Sequence, residues 1–329
     1  MKNFAGTLYR LAPVHEPVGA KKIRAPAWVP ERLTGGRTAS IDSLLYRPKT
    51  GEASLKILVA VKRVADPENL NKIKLSAQGK IDTTGLEQKA SPYDDYALET
   101  ALRLTENGTT PKQRLGEVVV VTFAPKEAEP MLRAMLGTGA DRAIRVDATD
   151  DALDGDVVAR GLKGLVEKEK PDLVLLGYQQ AEHESNEVGQ MLAEYLGWPQ
   201  ASSIGSIQSV DDTALLVGRE VEGATAKLKV SLPAVVTVLD KVVYPKGVQS
   251  KHTPATHNYP DGVRFAALMA IMAAKKKPLA EMKLADVTAD AATRVKYGAA
   301  EMPPKRAAGI KVKDVKELVA KLKTEAKVL

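Results

Sequence analysis

The sequence has no cysteine, and this absence excludes several kinds of chemistry. Disulfides, thiolate metal sites, iron–sulfur clusters and cysteine nucleophiles all require that residue. Aromatic residues make up only 4% of the chain, too few to favour stacking platforms for single-stranded nucleic acid. No run approaches 18 uninterrupted apolar residues, so the sequence predicts no membrane-spanning helix. With 44% hydrophobic and 27% charged residues, the composition is typical of a globular protein.

An excess of one charge is also missing from most of the chain. Residues 1–54 carry nine Lys or Arg and four Asp or Glu, whereas the other 275 residues carry 39 basic and 37 acidic side chains. The net charge of +7 therefore belongs mostly to the N-terminal segment. A nearly balanced body argues against a nucleic-acid-binding surface.

Residues 1–54 contain five Pro and five Gly and show no sustained helical or strand period. This composition predicts an extended arm along another surface. Its candidate apolar anchors are Leu8, Tyr9, Leu11, Trp28 and Val29. A floppy tail and an uncleaved targeting peptide are the alternatives, while a secretory signal peptide is excluded because Met1–Val14 has no adequate apolar region.

Three short apolar runs beyond this segment predict buried strands: Leu55–Val61, Glu117–Phe123 and Asp172–Gly177. Helical signals lie between them. Three helices are predicted. The first begins at Ser91-Pro92 and ends at Asn107-Gly108, and the second covers Lys126–Leu136 and ends at Gly137. The third runs from Asp154 to Lys170. This alternation predicts an α/β fold with a doubly wound, mostly parallel sheet of the Rossmann-like, nucleotide-binding kind.

The remainder of the chain departs from this alternation. Shorter strands of alternating pattern are predicted from Ser203 to Asp240, with a turn at Glu222-Gly223. A surface loop is predicted over Val243–Val263 and one amphipathic helix within Val312–Leu329. We therefore divide the chain into an arm (1–54), an α/β domain (55–264) and a partner-recognition loop with a C-terminal arm (265–329).

Ligands of open parallel sheets bind beyond the carboxyl ends of the strands, where loops enter helix N-termini. Three such ends follow Ala60, Phe123 and Gly177. The Gly177–Val188 loop offers neutral hydrogen-bonding side chains and leads into a predicted helix, Glu187–Tyr195, whose first N–H groups can bind an anion. The alternative is that Ser185-Asn186 only cap that helix.

Several motifs are missing from the predicted loops. No Walker sequence and no G-x-G-x-x-G follows a predicted strand, and no G-x-S-x-G elbow is present. The four histidines show no metal-ligand spacing. Side-chain catalysis and metal chemistry therefore have no candidate residues.

Lys275, Lys276 and Lys277 follow the apolar stretch Phe265–Met272. Such a run is usually a solvated face. Beside an exposed apolar ridge it could instead form a docking surface for an acidic partner.

Seven sequence segments, read together, resemble the β-subunit of electron-transfer flavoproteins from Leu55 to the C-terminus. They are LKILVAVKRV, TGADRAIRV, VEKEKPDLVLLG, NEVGQMLAEYLGWPQ, LPAVVTV, PPKRAAGIKV and ELVAKLK. The resemblance implies a heterodimer in which an α-subunit mainly binds the redox-active FAD and the β-subunit binds a structural AMP. Such a subunit carries electrons from flavin dehydrogenases, such as acyl-CoA dehydrogenases, towards a quinone-reducing acceptor and is not itself an enzyme. Its compartment would be the bacterial cytoplasm or, in a eukaryote, the mitochondrial matrix.

The resemblance also assigns sites. Matching the AMP-binding segments gives Ala60, Ser91, Pro92, Tyr93, Asp94, Phe123, Gly177, Tyr178, Gln179, Gln180, Ala181, Glu182, His183, Glu184, Ser185, Asn186, Glu187 and Val188. The loop that recognises dehydrogenases aligns with FAALMAIMAAKKK and places its anchoring leucine at Leu268. Residues beyond Pro303 correspond to the arm that embraces the α-subunit.

Three positions depart from the family pattern. Glu182-His183-Glu184 stand where the family has an Asp-rich stretch, Pro67 stands where a tyrosine is often near the flavin, and the signature around Arg219–Ala226 is only partly kept. An electron-bifurcating subunit with a second FAD in place of AMP is an alternative. The loop sequence SNEVGQ resembles the carrier group instead. A non-redox nucleotide-binding interaction module is a third interpretation.

Overall fold

A computed structural model describes residues 54–109, 113–209, 211–296, 298–301, 304 and 308–329. The N-terminal arm and its five candidate anchors lie outside these residues. The described chain forms two compact units. The larger unit reaches Leu70 and resumes from Leu86 to Lys296, and the smaller one combines Asn71–Gly85 with the segment after Lys296.

The described strands and helices have the following bounds. The strands are β1 Leu55–Ala60, β2 Arg63–Ala65, β3 Lys74–Leu75, β4 Ile81–Asp82, β5 Gln88–Ala90, β6 Gly116–Phe123, β7 Arg142–Asp147, β8 Leu173–Gly177, β9 Gln200–Ser209, β10 Ala214–Val221, β11 Ala224–Ser231, β12 Ala234–Val238, β13 Val248–Gln249 and β14 Leu279–Lys283. The α-helices are α1 Pro92–Leu104, α2 Glu129–Thr138, α3 Gly155–Glu169, α4 Val188–Leu196, α5 Leu268–Ala274 and α6 Val315–Thr324.

Ten of the described strands form one sheet in the larger unit, in the order β11-β10-β9-β12-β8-β1-β6-β7-β14, with β13 beside β9. The strands from β9 to β14 in this order run parallel, and β10 and β11 add an antiparallel edge. Ile57 of β1 lies opposite Val118 of β6 and Leu173 of β8. The predicted doubly wound α/β fold is therefore confirmed.

The sheet is covered on both faces, which explains the continuous apolar runs of its central strands. Because side chains alternate along a strand, Ile57 and Val59 point to one face and Leu58 to the other. The first face packs against α1 and α2 and the second against α3 and α4. These two apolar layers fix the positions of the helices relative to the strand ends.

The first two helices do not end at the glycines where the sequence predicts their ends. The first helix ends at Leu104 rather than at Asn107-Gly108, and the Thr105 hydroxyl that follows donates to the Ala101 carbonyl. The second begins with a 3₁₀ turn at Lys126–Ala128 and runs to Thr138. Gly137 lies inside it, and the stop is Gly139, at a φ of 149°.

The predicted loop over Val243–Val263 is mostly irregular and exposed, but parts of it are buried. Val248 is buried where it pairs with β9, and Tyr259 is also buried. Arg103 of α1 donates to the carbonyl oxygens of Tyr244, Pro260 and Gly262. These contacts hold the segment against α1.

The smaller unit contains the β3–β4 hairpin and α6. The Ala300 N–H donates to the Gly79 carbonyl at 2.8 Å. The single predicted C-terminal helix is confirmed as α6, which begins after Asp314, whose carboxylate accepts the Glu317 N–H. In the described part of the chain, no helix has the length and apolar character needed to cross a membrane.

Candidate functional site

The three strand ends named from the sequence are neighbours in the sheet. Ala60 ends β1, Phe123 ends β6 and Gly177 ends β8, and the sheet order places β8, β1 and β6 side by side. Their carboxyl ends point the same way because the strands are parallel. The structure therefore brings the Ala60, Phe123 and Gly177 segments to one edge of the sheet.

Asp94, in the first turn of α1, joins two of these strand ends. One carboxylate oxygen accepts the Lys62 N–H at 2.8 Å and the other accepts the Gly177 N–H at 3.1 Å. Burial raises the pKa of this carboxyl to about 7. A Cβ on Gly177 would lie 2.6 Å from Asp94 Oδ1 and 2.7 Å from the Tyr93 carbonyl carbon, so only glycine fits. Asp94 thus fixes the backbone at this edge.

Ser91 and Pro92 open α1 as the sequence predicts, with Ser91 at the N-cap position. The Ser91 side chain does not cap the helix, and its buried hydroxyl has no hydrogen-bond partner among the described residues. The Tyr93 ring lies edge-on to Tyr178 at 6.3 Å, and Gln179 donates to the Tyr93 hydroxyl at 3.5 Å. These contacts connect the start of α1 to the start of the Gly177–Val188 loop.

The Gly177–Val188 loop is closed by its own backbone. The Gln180 N–H donates to the Ser185 carbonyl at 2.8 Å, and the Glu184 N–H donates to the Gln180 carbonyl at 3.0 Å. Glu184 has a φ of 54°, in the left-handed region. Glu182, His183, Glu184 and Asn186 are exposed, whereas Ala181 is half-buried.

The alternative interpretation, in which Ser185-Asn186 only cap the next helix, is wrong. The fourth helix begins at Val188, its N-cap position is Glu187, and no side chain caps it. Its first backbone N–H groups thus have no partner within the helix. The buried Ser185 hydroxyl and Gln190 Oε1 also lack a hydrogen-bond partner in the described part of the chain.

Two of the named site side chains pack against α3. A Cβ on Gly155 would lie 2.4 Å from Glu187 Oε1, and one on Gly161 would lie 2.4 Å from the Phe123 ring. Glu187 and Phe123 therefore fill space left by glycines. Thr122, the residue before Phe123, has a buried hydroxyl for which the described residues offer no hydrogen-bond partner.

Lys62 also contacts this site, although no motif in the sequence pointed to it. Its carbonyl accepts the Ser91 N–H at 2.9 Å. Its ammonium donates to Gln180 Oε1 at 2.9 Å and to Glu182 Oε2 at 2.5 Å. A lysine directly after a buried strand, in the segment LKILVAVKRV, was the only signal available.

A second feature is an exposed apolar surface on α5, the α5 ridge. It consists of Phe265, Leu268, Met269, Ile271 and Met272, of which Leu268 is 73% exposed. Lys275 and Lys276 continue it and are also exposed.

Lys277 differs from its two neighbours because it is half-buried against α2, and its assignment to the partner-binding residues stays a prediction. Its ammonium donates to the carbonyl oxygens of Leu136 and Ala140 at 2.9 and 2.6 Å, at the C-terminal end of α2. Helix C-termini favour cations, which explains this position. In the described ranges, no three His, Asp or Glu side chains converge as metal ligands.

Comparison with known proteins identifies the family. A family model of the electron transfer flavoprotein domain matches residues 78–287. The chain is 39% identical over 275 residues to the electron transfer flavoprotein subunit beta of Bradyrhizobium diazoefficiens, covering 84% of this chain and 100% of the relative. It is 36% identical to the human subunit, covering 82% and 98% of the two chains, and 36% identical to the mitochondrial subunit of Arabidopsis thaliana, covering 84% and 100%. The chain therefore belongs to the electron transfer flavoprotein β-subunit family.

Proposed function

We propose that this chain is the β-subunit of a heterodimeric electron transfer flavoprotein. The redox-active FAD, bound mainly by the α-subunit, accepts and donates electrons when bound. The β-subunit contributes the partner-docking surface and a structural nucleotide, and turns over no substrate of its own. Full-length similarity to relatives named as this subunit supports the proposal. Relatives include a bacterial protein and a mitochondrial one, which supports the bacterial cytoplasm or the mitochondrial matrix as its compartment.

We further propose that the structural nucleotide is AMP and that it binds at this edge of the sheet. The observation that carries this proposal is a set of four buried side-chain oxygens without a hydrogen-bond partner among the described residues. They belong to Ser91, Thr122, Ser185 and Gln190. All four come from segments at the carboxyl edge, and an unsatisfied buried polar atom is costly unless a ligand or water pairs with it.

The uncapped N-terminus of α4 supplies the complementary feature. A helix N-terminus favours an anion, so the AMP phosphate would bind there without a lysine cradle. Ser185 and Gln190 flank this terminus in sequence, and Ser91 begins α1. We assign the remaining residues of the Gly177–Val188 loop and Ala60 to the surroundings of the nucleotide.

A single substitution tests this assignment. The Ser185→Ala variant should retain less AMP than the wild type after purification, because the hydroxyl would pair with the nucleotide. The nucleotide-free variant should be as stable as the wild type or slightly more stable, because the removed hydroxyl is buried without a partner. The measurements are nucleotide content by chromatography and urea unfolding of nucleotide-free protein.

Ser250→Ala is the matched control. Its hydroxyl is buried but donates to the Glu106 carbonyl at 3.3 Å, so we expect lower stability and unchanged AMP content. If Ser185→Ala retains AMP as the wild type does, Ser185 does not bind the nucleotide.

The docking partner we propose is a flavin dehydrogenase with an acidic surface around an apolar pocket, such as an acyl-CoA dehydrogenase. The α5 ridge supplies the apolar contacts, with Leu268 as the central anchor, and Lys275 and Lys276 supply charge. Electrons then pass to a quinone-reducing acceptor.

A further inference from the structure

The Lys62 side chain connects the end of β1 to the tip of the Gly177–Val188 loop. Its ammonium lies 2.9 Å from Gln180 Oε1 and 2.5 Å from Glu182 Oε2. The Lys62 backbone is fixed at the same time, because its N–H donates to Asp94 and its carbonyl accepts the Ser91 N–H. The Lys62 side chain thus extends from a backbone whose N–H and carbonyl are both hydrogen-bonded.

The contact at Gln180 extends to the nucleotide-binding part of the loop. The Gln180 backbone N–H donates to the Ser185 carbonyl, and the Gln180 carbonyl accepts the Glu184 N–H. Ser185 carries one of the unpartnered buried hydroxyls and lies three residues before α4. The residue that Lys62 contacts is therefore joined directly to Ser185 by one backbone hydrogen bond and to Glu184 by another.

We propose that Lys62 is a positioning residue that holds the Gly177–Val188 loop closed and so slows the loss of the nucleotide. This inference rests on the proposed AMP site. In this proposal Lys62 acts through the loop and not as a phosphate ligand, because two of the three donors of its ammonium are directed at Gln180 and Glu182 of the loop. Glu182 is the second member of the same contact.

The size of the effect follows from the exposure of the two side chains. Lys62 and Glu182 are 42% and 29% accessible to solvent, so their ion pair is partly screened. Such pairs contribute modestly, and their loss should accelerate loop opening and nucleotide dissociation by about two- to fivefold. Neither removal leaves a fully buried charge, so both variants should fold.

The experiment compares Lys62→Gln, Glu182→Gln and the double variant in the purified heterodimer. Amide hydrogen exchange reports loop opening at the N–H groups of Gln180 and Glu184, with the Tyr178 N–H, which donates to the Val238 carbonyl, as the reference at the base of the loop. AMP dissociation is measured by displacement with labelled AMP. Lys163→Gln is the matched control, since Lys163 is 43% accessible and has a 3.9 Å ion pair with Glu167 on α3.

We expect both single variants to increase loop exchange and AMP dissociation, Lys62→Gln by the larger factor because it also loses the contact with Gln180, and the double variant to exceed Lys62→Gln by nothing further. Whether Glu182→Gln speeds or slows AMP dissociation is decisive. If Lys62 bound the phosphate directly, removing the Glu182 charge would free the lysine and slow AMP dissociation, which would overturn the proposal. Unchanged loop exchange in Lys62→Gln would overturn it as well. A wild-type heterodimer without AMP would contradict the proposed nucleotide site, while the exchange measurement would still decide whether Lys62 holds the loop.

Discussion

Asp94 shows at the scale of one residue how the edge of the sheet is assembled. Its carboxyl group joins the backbones that follow β1 and end β8. Burial raises its pKa to about 7, although the two backbone N–H donors favour the charged form. Burial also raises the pKa of the adjacent Asp95 to about 6.

The sign of the resulting pH dependence can be stated. An ordinary Asp loses its proton near pH 3.8, whereas Asp94 in the folded chain keeps it until about pH 7. Between these values the folded chain binds more protons than the unfolded chain, so its free energy of unfolding falls as pH rises. The stabilisation is complete below about pH 4 and is lost through about pH 7.

We therefore predict that Asp94→Asn flattens the pH profile of stability. Urea unfolding between pH 4.5 and 7.5 should show a smaller decrease in the variant, by about 1.4 kcal/mol for each unit of the pKa shift that is removed. Asp95→Asn serves as the comparison and should remove only a decrease that ends near pH 6. Parallel profiles for wild type and Asp94→Asn would show that this carboxyl does not titrate in the window.

The residues that fix this edge differ in how far the sequence reveals them. Pro92 and the strand ends follow from helix-start signals and apolar runs, and the structure has them where predicted. Ser91 takes the predicted N-cap position, but its side chain makes no capping hydrogen bond. The cap at Ser185-Asn186 does not form, because Glu187 takes the N-cap position and packs against Gly155 of α3. That packing depends on a contact between two helices, which no local pattern contains.

At the scale of elements, the run of three lysines after α5 occupies two separate environments. Lys275 and Lys276 are exposed, while Lys277 binds the last carbonyls of α2. Sequence spacing alone does not separate the three, because the acceptors lie about 140 residues earlier in the chain.

Substitution of the three lysines should separate these roles. Lys277→Met should lower the free energy of unfolding by about 1–2 kcal/mol, as expected for loss of a partly buried cation at a helix C-terminus. Lys275→Met and Lys276→Met should change stability by less than about 0.5 kcal/mol and slow association with an acidic partner most at low salt. Urea unfolding and association rates at two salt concentrations measure the two effects. Equal stability of all three variants would contradict the assignment of Lys277 to α2.

The α5 ridge gives a second prediction at this scale. Leu268→Ala should slow electron transfer from a cognate dehydrogenase, because a single exposed anchor can contribute much of a transient interface. Folding and flavin content should not change, since the Leu268 side chain is largely exposed. Stopped-flow reduction of the heterodimer measures the rate, and Val221→Ala on β10, also exposed, is the control. A variant that unfolds and transfers electrons normally when folded would place Leu268 in a core.

The elements themselves were largely predictable where they are buried on both faces. The apolar runs identify β1, β6 and β8, and Asp154 marks the start of α3, whose Val157 N–H it accepts. The exposed loop from Val243 to Val263 was predictable from its polar composition, but its attachment to α1 was not, because three of its carbonyls accept from Arg103, about 140 to 160 residues earlier in the chain.

Across the larger unit, a buried ionic network connects α1 to the segment before the α5 ridge. Arg103 donates to Glu99 at 2.7 Å, and Arg264 donates to both Glu99 and Glu106, at 2.7 and 2.8 Å. Arg264 immediately precedes Phe265. The network therefore connects the helix that begins at the proposed nucleotide site to the base of the proposed docking surface, through contacts that span more than 150 residues.

The central claim for the whole molecule is that this chain, paired with an α-subunit, forms a carrier with one redox flavin and one structural AMP. The most direct test is to purify the native heterodimer, denature it and count the released cofactors by chromatography. The account predicts one FAD and one AMP per heterodimer. Two FAD molecules and no AMP would instead indicate an electron-bifurcating subunit, and a native complex without flavin would indicate a non-redox interaction module; either result would contradict the account.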